Sequence, residues 1–141
     1  MSRKIERMHW PDAPDIWAPF TPIIKVSGGT TVYLAGMTAA PMYHRHPHQP
    51  EEFAAIPDDM EGQVREIFVK MKKSLATAGA ELSDVVMATR YLKDIIQQDI
   101  VNKLWEEEFG DNRPTTTTVQ IERLAADTKL LIEITVTAVI D

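Results

Sequence analysis

Residues 60–92, MEGQVREIFVKMKKSLATAGAELSDVVMATRYL, decide the fold, because a helical periodicity gives way within them to that of a strand. Apolar residues recur every three or four positions and stop at Gly79, which predicts an amphipathic helix that glycine terminates. Asp58 or Asp59 is placed to cap its first turn. The run 85–92 then predicts a strand. The apolar positions of the helix are Met60, Val64, Ile67, Phe68, Met71, Leu75 and Ala78.

The flanking sequence supplies the remaining elements of an α+β fold. Runs 23–26 and 31–37 predict a hairpin around two glycines. Asp94 is placed to cap a second helix that ends at Gly110. Residues 115–121 and 130–140 predict the last two strands. The order ββ, α, β, α, ββ indicates a mixed sheet with two helices on one face.

Two segments lack a regular pattern. Residues 1–22 hold four prolines, which predicts an irregular leader that packs through its aromatic residues Trp10, Trp17 and Phe20. Residues 38–57 predict a long loop, and loops of that length are often functional. We expect all of residues 1–141 to form a single domain.

Composition narrows the classes of partner. The net charge of −6 repels phosphate backbones, so we expect no nucleic-acid partner. Lys70, Lys72 and Lys73 are interpreted as a solvated helix face. The absence of cysteine excludes thiolate metal sites and a cysteine nucleophile. No apolar run approaches membrane-spanning length, so we expect no membrane partner and a cytoplasmic location.

Strand alternation assigns side chains to faces. In the last strand, even-numbered residues are apolar and suit the helices, whereas Glu133 and two threonines share the other face. In the sequence NRPTTTTVQI, residues 112–121, Thr116 and Thr118 share a face. Threonine favours strands, so this repeat is compatible with ordered structure.

The series AGAELSDVV, TRYLKD, NKLWEEEF, RPTTTTVQI and LLIEITVTA, with VYLAGM before it, resembles the YjgF-like or Rid (reactive intermediate deaminase) family over residues 19–138. The resemblance implies a chorismate-mutase-like fold assembled as a homotrimer, with the sheets in an inner β-barrel and small-molecule clefts between subunits. It implies a hydrolase that converts enamine or imine intermediates to a carbonyl compound and ammonia, without a metal or other cofactor.

The resemblance also assigns roles to residues of this chain. Glu133 matches a glutamate that orients or activates water. Asn102 matches a substrate-binding asparagine, and Gly36 matches a glycine whose backbone approaches the ligand. Phe20 lies where the family has a tyrosine, so this chain retains the aromatic ring and lacks the hydroxyl group.

One position departs from the family pattern. Thr116 falls where deaminating relatives hold an arginine that clamps a substrate carboxylate. The substrate is therefore not expected to be a simple 2-imino acid, and Thr116 and Thr118 are candidates to bind a different polar group or to pair across strands. Arg90 and Arg113 are further candidates to replace the missing cation, but neither position matches the family's clamp, so both are interpreted as surface arginines.

The segment YHRHPH, residues 43–48, alternates three histidines with Arg45 and Pro47. In an extended chain His44, His46 and His48 would point the same way and could hold zinc. The prolines favour a solvated loop instead, and we predict no metal site. A third interpretation is that Arg45 or a histidine such as His44 or His46 folds over the cleft and replaces the missing cation.

Two other functions stay open. One is a trimeric metabolite-binding protein without catalysis, in which the cleft senses or carries its ligand. The other is a ribonuclease activity, reported for some members of the family, which fits poorly with a chain of net charge −6.

Overall fold

The computed structural model describes residues 2–141, which form six strands and two α-helices. Short 3-10 helices lie at Pro50–Phe53, Leu82–Asp84 and Ile95–Gln97. The main elements in chain order are β1 (Lys4–Met8), β2 (Ile23–Ser27), β3 (Thr30–Tyr33), α1 (Met60–Thr77), β4 (Val85–Leu92), α2 (Gln98–Phe109), β5 (Thr115–Gln120) and β6 (Ile132–Ile140).

The main sheet has the strand order β3-β6-β4-β5 and is mixed. β4 runs parallel to β5 and antiparallel to β6, which also pairs antiparallel with β3. Both helices pack on one face of this sheet, around a core built from α1, α2, β4 and β6. The α+β architecture expected from the order of elements is therefore confirmed.

The predicted hairpin is wrong. β2 pairs with β1 in a separate two-stranded sheet, whereas β3 pairs with β6. Gly28 and Gly29 have φ values of 68° and 83°, and this left-handed pair carries the chain from one sheet to the other. The expectation that all of residues 1–22 are irregular is wrong for β1, because its five residues precede the first proline and keep their backbone donors.

The leader does not bury its aromatic residues within this chain, contrary to the prediction. Trp10 is 68% exposed, and Trp17 and Phe20 are about 40% exposed, at 41% and 39%. The loop 38–57 holds one 3-10 helix, which buries Phe53.

α1 follows its sequence signals. The Asp59 side chain accepts a hydrogen bond from the Gly62 amide at 2.8 Å, and Gly79 follows the helix with φ 76°. Asp94 accepts from the Ile96 amide and so caps a 3-10 turn that leads into α2. Between the helices, Phe68, Trp105 and Phe109 pack with ring centroids 4.7–5.7 Å apart.

One buried glutamine ties α1 to two loops. The Gln63 amide nitrogen donates to the Pro57 and Lys129 carbonyls, each at 2.9 Å, and its oxygen accepts from the Leu131 amide at 2.8 Å. The side chain therefore satisfies three backbone groups and fixes the end of the loop 38–57 against the start of β6. Within residues 2–141 no helix has the length and apolar character to cross a membrane.

Candidate active site

Glu133 lies on the face of β6 opposite the helices. Its neighbours Ile132 and Ile134 are fully buried, whereas Glu133 is partly exposed. Burial raises the pKa of Glu133 above its ordinary value of 4.5, because desolvation disfavours the charged form. The carboxyl group therefore holds its proton to a higher pH than a solvated glutamate does.

Gly36 is placed against this carboxyl group by the bridge between Met37 and Ile134. Each of these two residues donates its amide hydrogen to the other's carbonyl, at 2.8 and 2.9 Å. A Cβ atom at Gly36 would lie 2.8 Å from Oε2 of Glu133, so any side chain here would displace the carboxyl group. The glycine predicted to approach a ligand thus leaves room for the candidate catalytic group.

Glu133 and Gly36 line a cavity of about 200 Å³ together with His44, His46 and His48. Arg45 is not among its lining residues, because its guanidinium lies 3.8 Å from Glu52 and is largely exposed. The structure therefore brings together five of the residues singled out in the sequence and leaves Arg45 outside.

Lys70 lines the same cavity and was missed as a site residue. It is half-buried, whereas Lys72 and Lys73 are exposed as predicted. Its ammonium group donates to the Thr38 carbonyl at 3.1 Å, and desolvation lowers its pKa despite the opposing effect of Glu66. The sequence signal for its partial burial is its position three residues after Ile67, which places it at the border of the buried stripe of α1.

Thr116 and Phe20 lie elsewhere, in a second cavity of about 600 Å³ that Trp10 also lines. The hydroxyl group of Thr116 donates to the Pro114 carbonyl at 3.0 Å. Within one chain these two predicted substrate-binding residues therefore belong to a different cavity from Glu133.

Thr118 and Asn102 form a third group around Arg90. The guanidinium donates to the Thr118 hydroxyl at 2.9 Å and to the Asn102 side-chain oxygen at 2.7 Å. Its carbon lies 5.0 Å from the centroid of the Trp105 ring. The side chains of Thr118 and Asn102 thus accept hydrogen bonds from a buried arginine of the same chain.

The interpretation of Arg90 as a surface residue is wrong, since it is 1% exposed. Desolvation lowers its pKa to about 10, and Nη1 has no hydrogen-bond partner among residues 2–141. Strand alternation already placed Arg90 beside Ala88 and Leu92, both buried, and was the signal for its burial. Arg113 is partly exposed and lies over Trp17, at 5.5 Å from the ring centroid.

Comparison with known proteins agrees with this fold and with the motifs. A family model described as Endoribonuclease L-PSP matches residues 11–140. A RutC family protein of Pyrococcus abyssi is 32% identical over 121 residues, which cover 86% of this chain and 87% of that protein. A protein of Escherichia coli named as a reactive intermediate deaminase, TdcF, is 30% identical over 81 residues, or 55% of this chain and 63% of its own.

Solved structures show the same similarity. A member of the YjgF/YER057c/UK114 family from Mycobacterium tuberculosis is 30% identical, with a TM-score of 0.65 over 82% of this chain and 83% of that one. A Rid family protein from Yersinia pestis has a TM-score of 0.75 over 99% of this chain and 100% of its own, at 21% identity, and so supports the fold alone.

The raised pKa of Glu133 leads to a prediction about stability. Between pH 4.5 and the higher folded-state pKa, the folded protein binds more protons than the unfolded chain, so stability falls as the pH rises. Glu133→Gln removes this dependence. We therefore expect the variant to gain stability relative to the unsubstituted protein as the pH rises above 4.5, as measured by urea denaturation at a fixed protein concentration. Glu122→Gln, at an exposed position, serves as the control, and a stability difference for Glu133→Gln that does not change with pH would contradict the prediction.

Proposed function

Since this chain belongs to the Endoribonuclease L-PSP family, the group of the RutC and Rid proteins, we propose that it hydrolyses an enamine, an imine or a related reactive carbonyl-nitrogen compound. Water adds to the carbon-nitrogen double bond, and a carbonyl compound and ammonia leave. The observation that carries this proposal is Glu133, a half-buried carboxyl group with a raised pKa in a cavity of small-molecule size.

In the proposed reaction Glu133 transfers protons. The carboxylate accepts a proton from water as the water oxygen attacks the imine carbon. The carboxyl group then returns this proton to nitrogen, which gives a tetrahedral carbinolamine. The glutamate next transfers the hydroxyl proton of the carbinolamine to the same nitrogen as the carbon-nitrogen bond breaks, so that the carbonyl compound and ammonia leave with the glutamate unchanged overall. A pKa raised by burial brings the group closer to neutral pH, where it can act in both directions.

Lys70 supports a role for this cavity in binding an anionic or strongly polar substrate group. Its ammonium group belongs to the same cavity as Glu133, and threonine at position 116 offers no charge. A cation supplied by α1 would anchor a substrate from a different direction than an arginine at position 116. This fits a substrate other than a simple 2-imino acid.

The residues of the expected site line two separate cavities of one chain, and this supports a cleft between subunits. Glu133 and Gly36 line one cavity, and Thr116 and Phe20 line another. We propose a homotrimer with an inner β-barrel, in which the first cavity of one subunit adjoins the second cavity of its neighbour. Such an assembly would also cover the exposed aromatic residues Trp10 and Phe20.

The catalytic role of Glu133 is tested by ammonia release from imines generated in situ by an amine-oxidising enzyme. Glu133→Gln keeps the size of the side chain and removes its acid-base function, so we expect the rate above background to fall at least ~100-fold. Glu122→Gln should leave that rate unchanged. An unchanged rate in Glu133→Gln, together with a ligand that raises the thermal stability of both proteins, would instead favour a metabolite-binding protein.

The role of Lys70 is tested by comparing two imines of similar size, one with a carboxylate and one without. Lys70→Met removes a charge-assisted contact, so we expect KM for the carboxylate-bearing imine to rise at least ~10-fold, with little change for the neutral imine. Lys73→Met, at an exposed position of the same helix, is the matched control. An equal effect on both imines would argue against anion binding by Lys70.

The inter-subunit cleft is tested by complementation. Glu133→Gln and a bulky variant, Thr116→Trp, should each be inactive alone because each damages one half of every cleft. Co-expressed subunits that assemble at random place two intact halves together in about one quarter of the clefts, so we expect about one quarter of the unsubstituted rate. If the co-expressed pair is no more active than the two parents, both halves belong to one chain.

A further inference from the structure

The loop 38–57 brings three imidazole rings together. The ring centroids of His44, His46 and His48 lie 4.8, 5.1 and 5.0 Å apart, in a nearly equilateral triangle. Each ring offers a nitrogen, and these three nitrogens all lie within 4.8 Å of one another. The alternation of histidines in the sequence predicted that the three rings could point the same way, and the folded loop does bring them together.

Two kinds of contact hold the three histidine rings in place: ring packing on Phe53 and a backbone hydrogen bond to Glu52. Phe53, which is 2% exposed, packs edge-on against His44 at 5.1 Å and against His48 at 5.5 Å. The backbone amide of Arg45 donates to Glu52 at 3.1 Å, so the loop is also fastened to the 3-10 helix that carries Phe53. Two of the three rings thus rest on a buried anchor.

One ring already has a tautomer that leaves a nitrogen lone pair free for a metal ion. Nδ1 of His44 lies 2.8 Å from the Pro41 carbonyl oxygen, which can only accept a hydrogen bond, so Nδ1 carries the hydrogen. Nε2 is then left with its lone pair. Metal-binding histidines commonly donate their other ring nitrogen to a backbone carbonyl in this way, which sets the tautomer and the ring orientation.

We propose that His44, His46 and His48 bind one divalent late transition metal ion, zinc foremost, at the edge of the cavity lined by Glu133. Neutral imidazole nitrogens suit zinc, copper, nickel and cobalt better than magnesium or calcium. Three protein nitrogens leave a fourth position open for water or another ligand. This site goes beyond the proposed hydrolysis, whose steps use Glu133 and need no metal.

The rearrangement that binding requires is small. Tetrahedral coordination at 2.0–2.1 Å places the ligand nitrogens ~3.3 Å apart, and the present separations reach at most 4.8 Å. His46 is exposed and the other two rings are half-buried, so rotations of side chains in a surface loop suffice. Packing in the core of the sheet is not involved.

Zinc binding is tested by isothermal titration of chelator-treated protein without an affinity tag, using zinc chloride alone in a non-chelating buffer. We expect one zinc ion per chain. Each of His44→Ala, His46→Ala and His48→Ala should weaken binding at least ~10-fold, and the triple variant should lose it. His9→Ala is the matched control, because the chain has four histidines and only His9 lies outside the cluster.

Two further readouts make the result independent of catalysis. Saturating zinc should raise the midpoint temperature of thermal unfolding of the unsubstituted protein and of His9→Ala but not that of the triple variant. Cobalt should give a visible absorption band only in the proteins that bind zinc. Circular dichroism of the metal-free variants checks that they fold. Failure of the unsubstituted protein to bind zinc, or equal binding by the triple variant, would overturn the proposal. Loss of ammonia release in Glu133→Gln with zinc binding intact would separate this site from the proposed activity.

Discussion

The alternation of side chains along β6 is the constraint on which the rest of this structure depends. β6 lies between β3 and β4, and its even-numbered residues from Ile132 to Ala138 are buried under the helices. Because successive residues of a strand point to opposite faces, burial of this set places Glu133 on the other side. The bridge from Met37 to Ile134 then brings Gly36 against its carboxyl group.

The cationic side chains of this chain do not lie where the family resemblance implies a cation. The position expected to hold a guanidinium carries Thr116, whereas a guanidinium is buried one strand away at Arg90, where Thr118, Asn102 and the face of Trp105 surround it. A buried cation is costly to desolvate, which is why its pKa falls and its hydrogen bonds matter. Thr118 and Asn102, which the resemblance implies in substrate binding, therefore accept hydrogen bonds from this buried cation instead.

Local signals predicted most of the fold. The Asp59 cap of α1, the ends of both helices at glycine and the spans of β4, β5 and β6 were confirmed to within one or two residues, because each depends on neighbours in sequence. Asp94 was predicted to cap α2 and instead caps the 3-10 turn that precedes it. The predicted hairpin failed because either of two strands could pair with β2, and the choice depends on residues far apart in the chain. Lys70 was missed because a residue at the border of a helical stripe can face solvent or a cavity.

The sequence by itself determined both helices and the strands β4, β5 and β6, the alternation that places Glu133 on the face of β6 away from the core, and the ordered motifs whose family resemblance implies a role for Glu133. Only the tertiary structure decided which side chains share a cavity. It placed Lys70 of α1 and the histidines of the loop beside Glu133, separated Thr116 from it, and gathered Thr118 and Asn102 around Arg90. The physical reason is that periodicity fixes orientation within one element, whereas proximity between elements depends on how their buried faces pack.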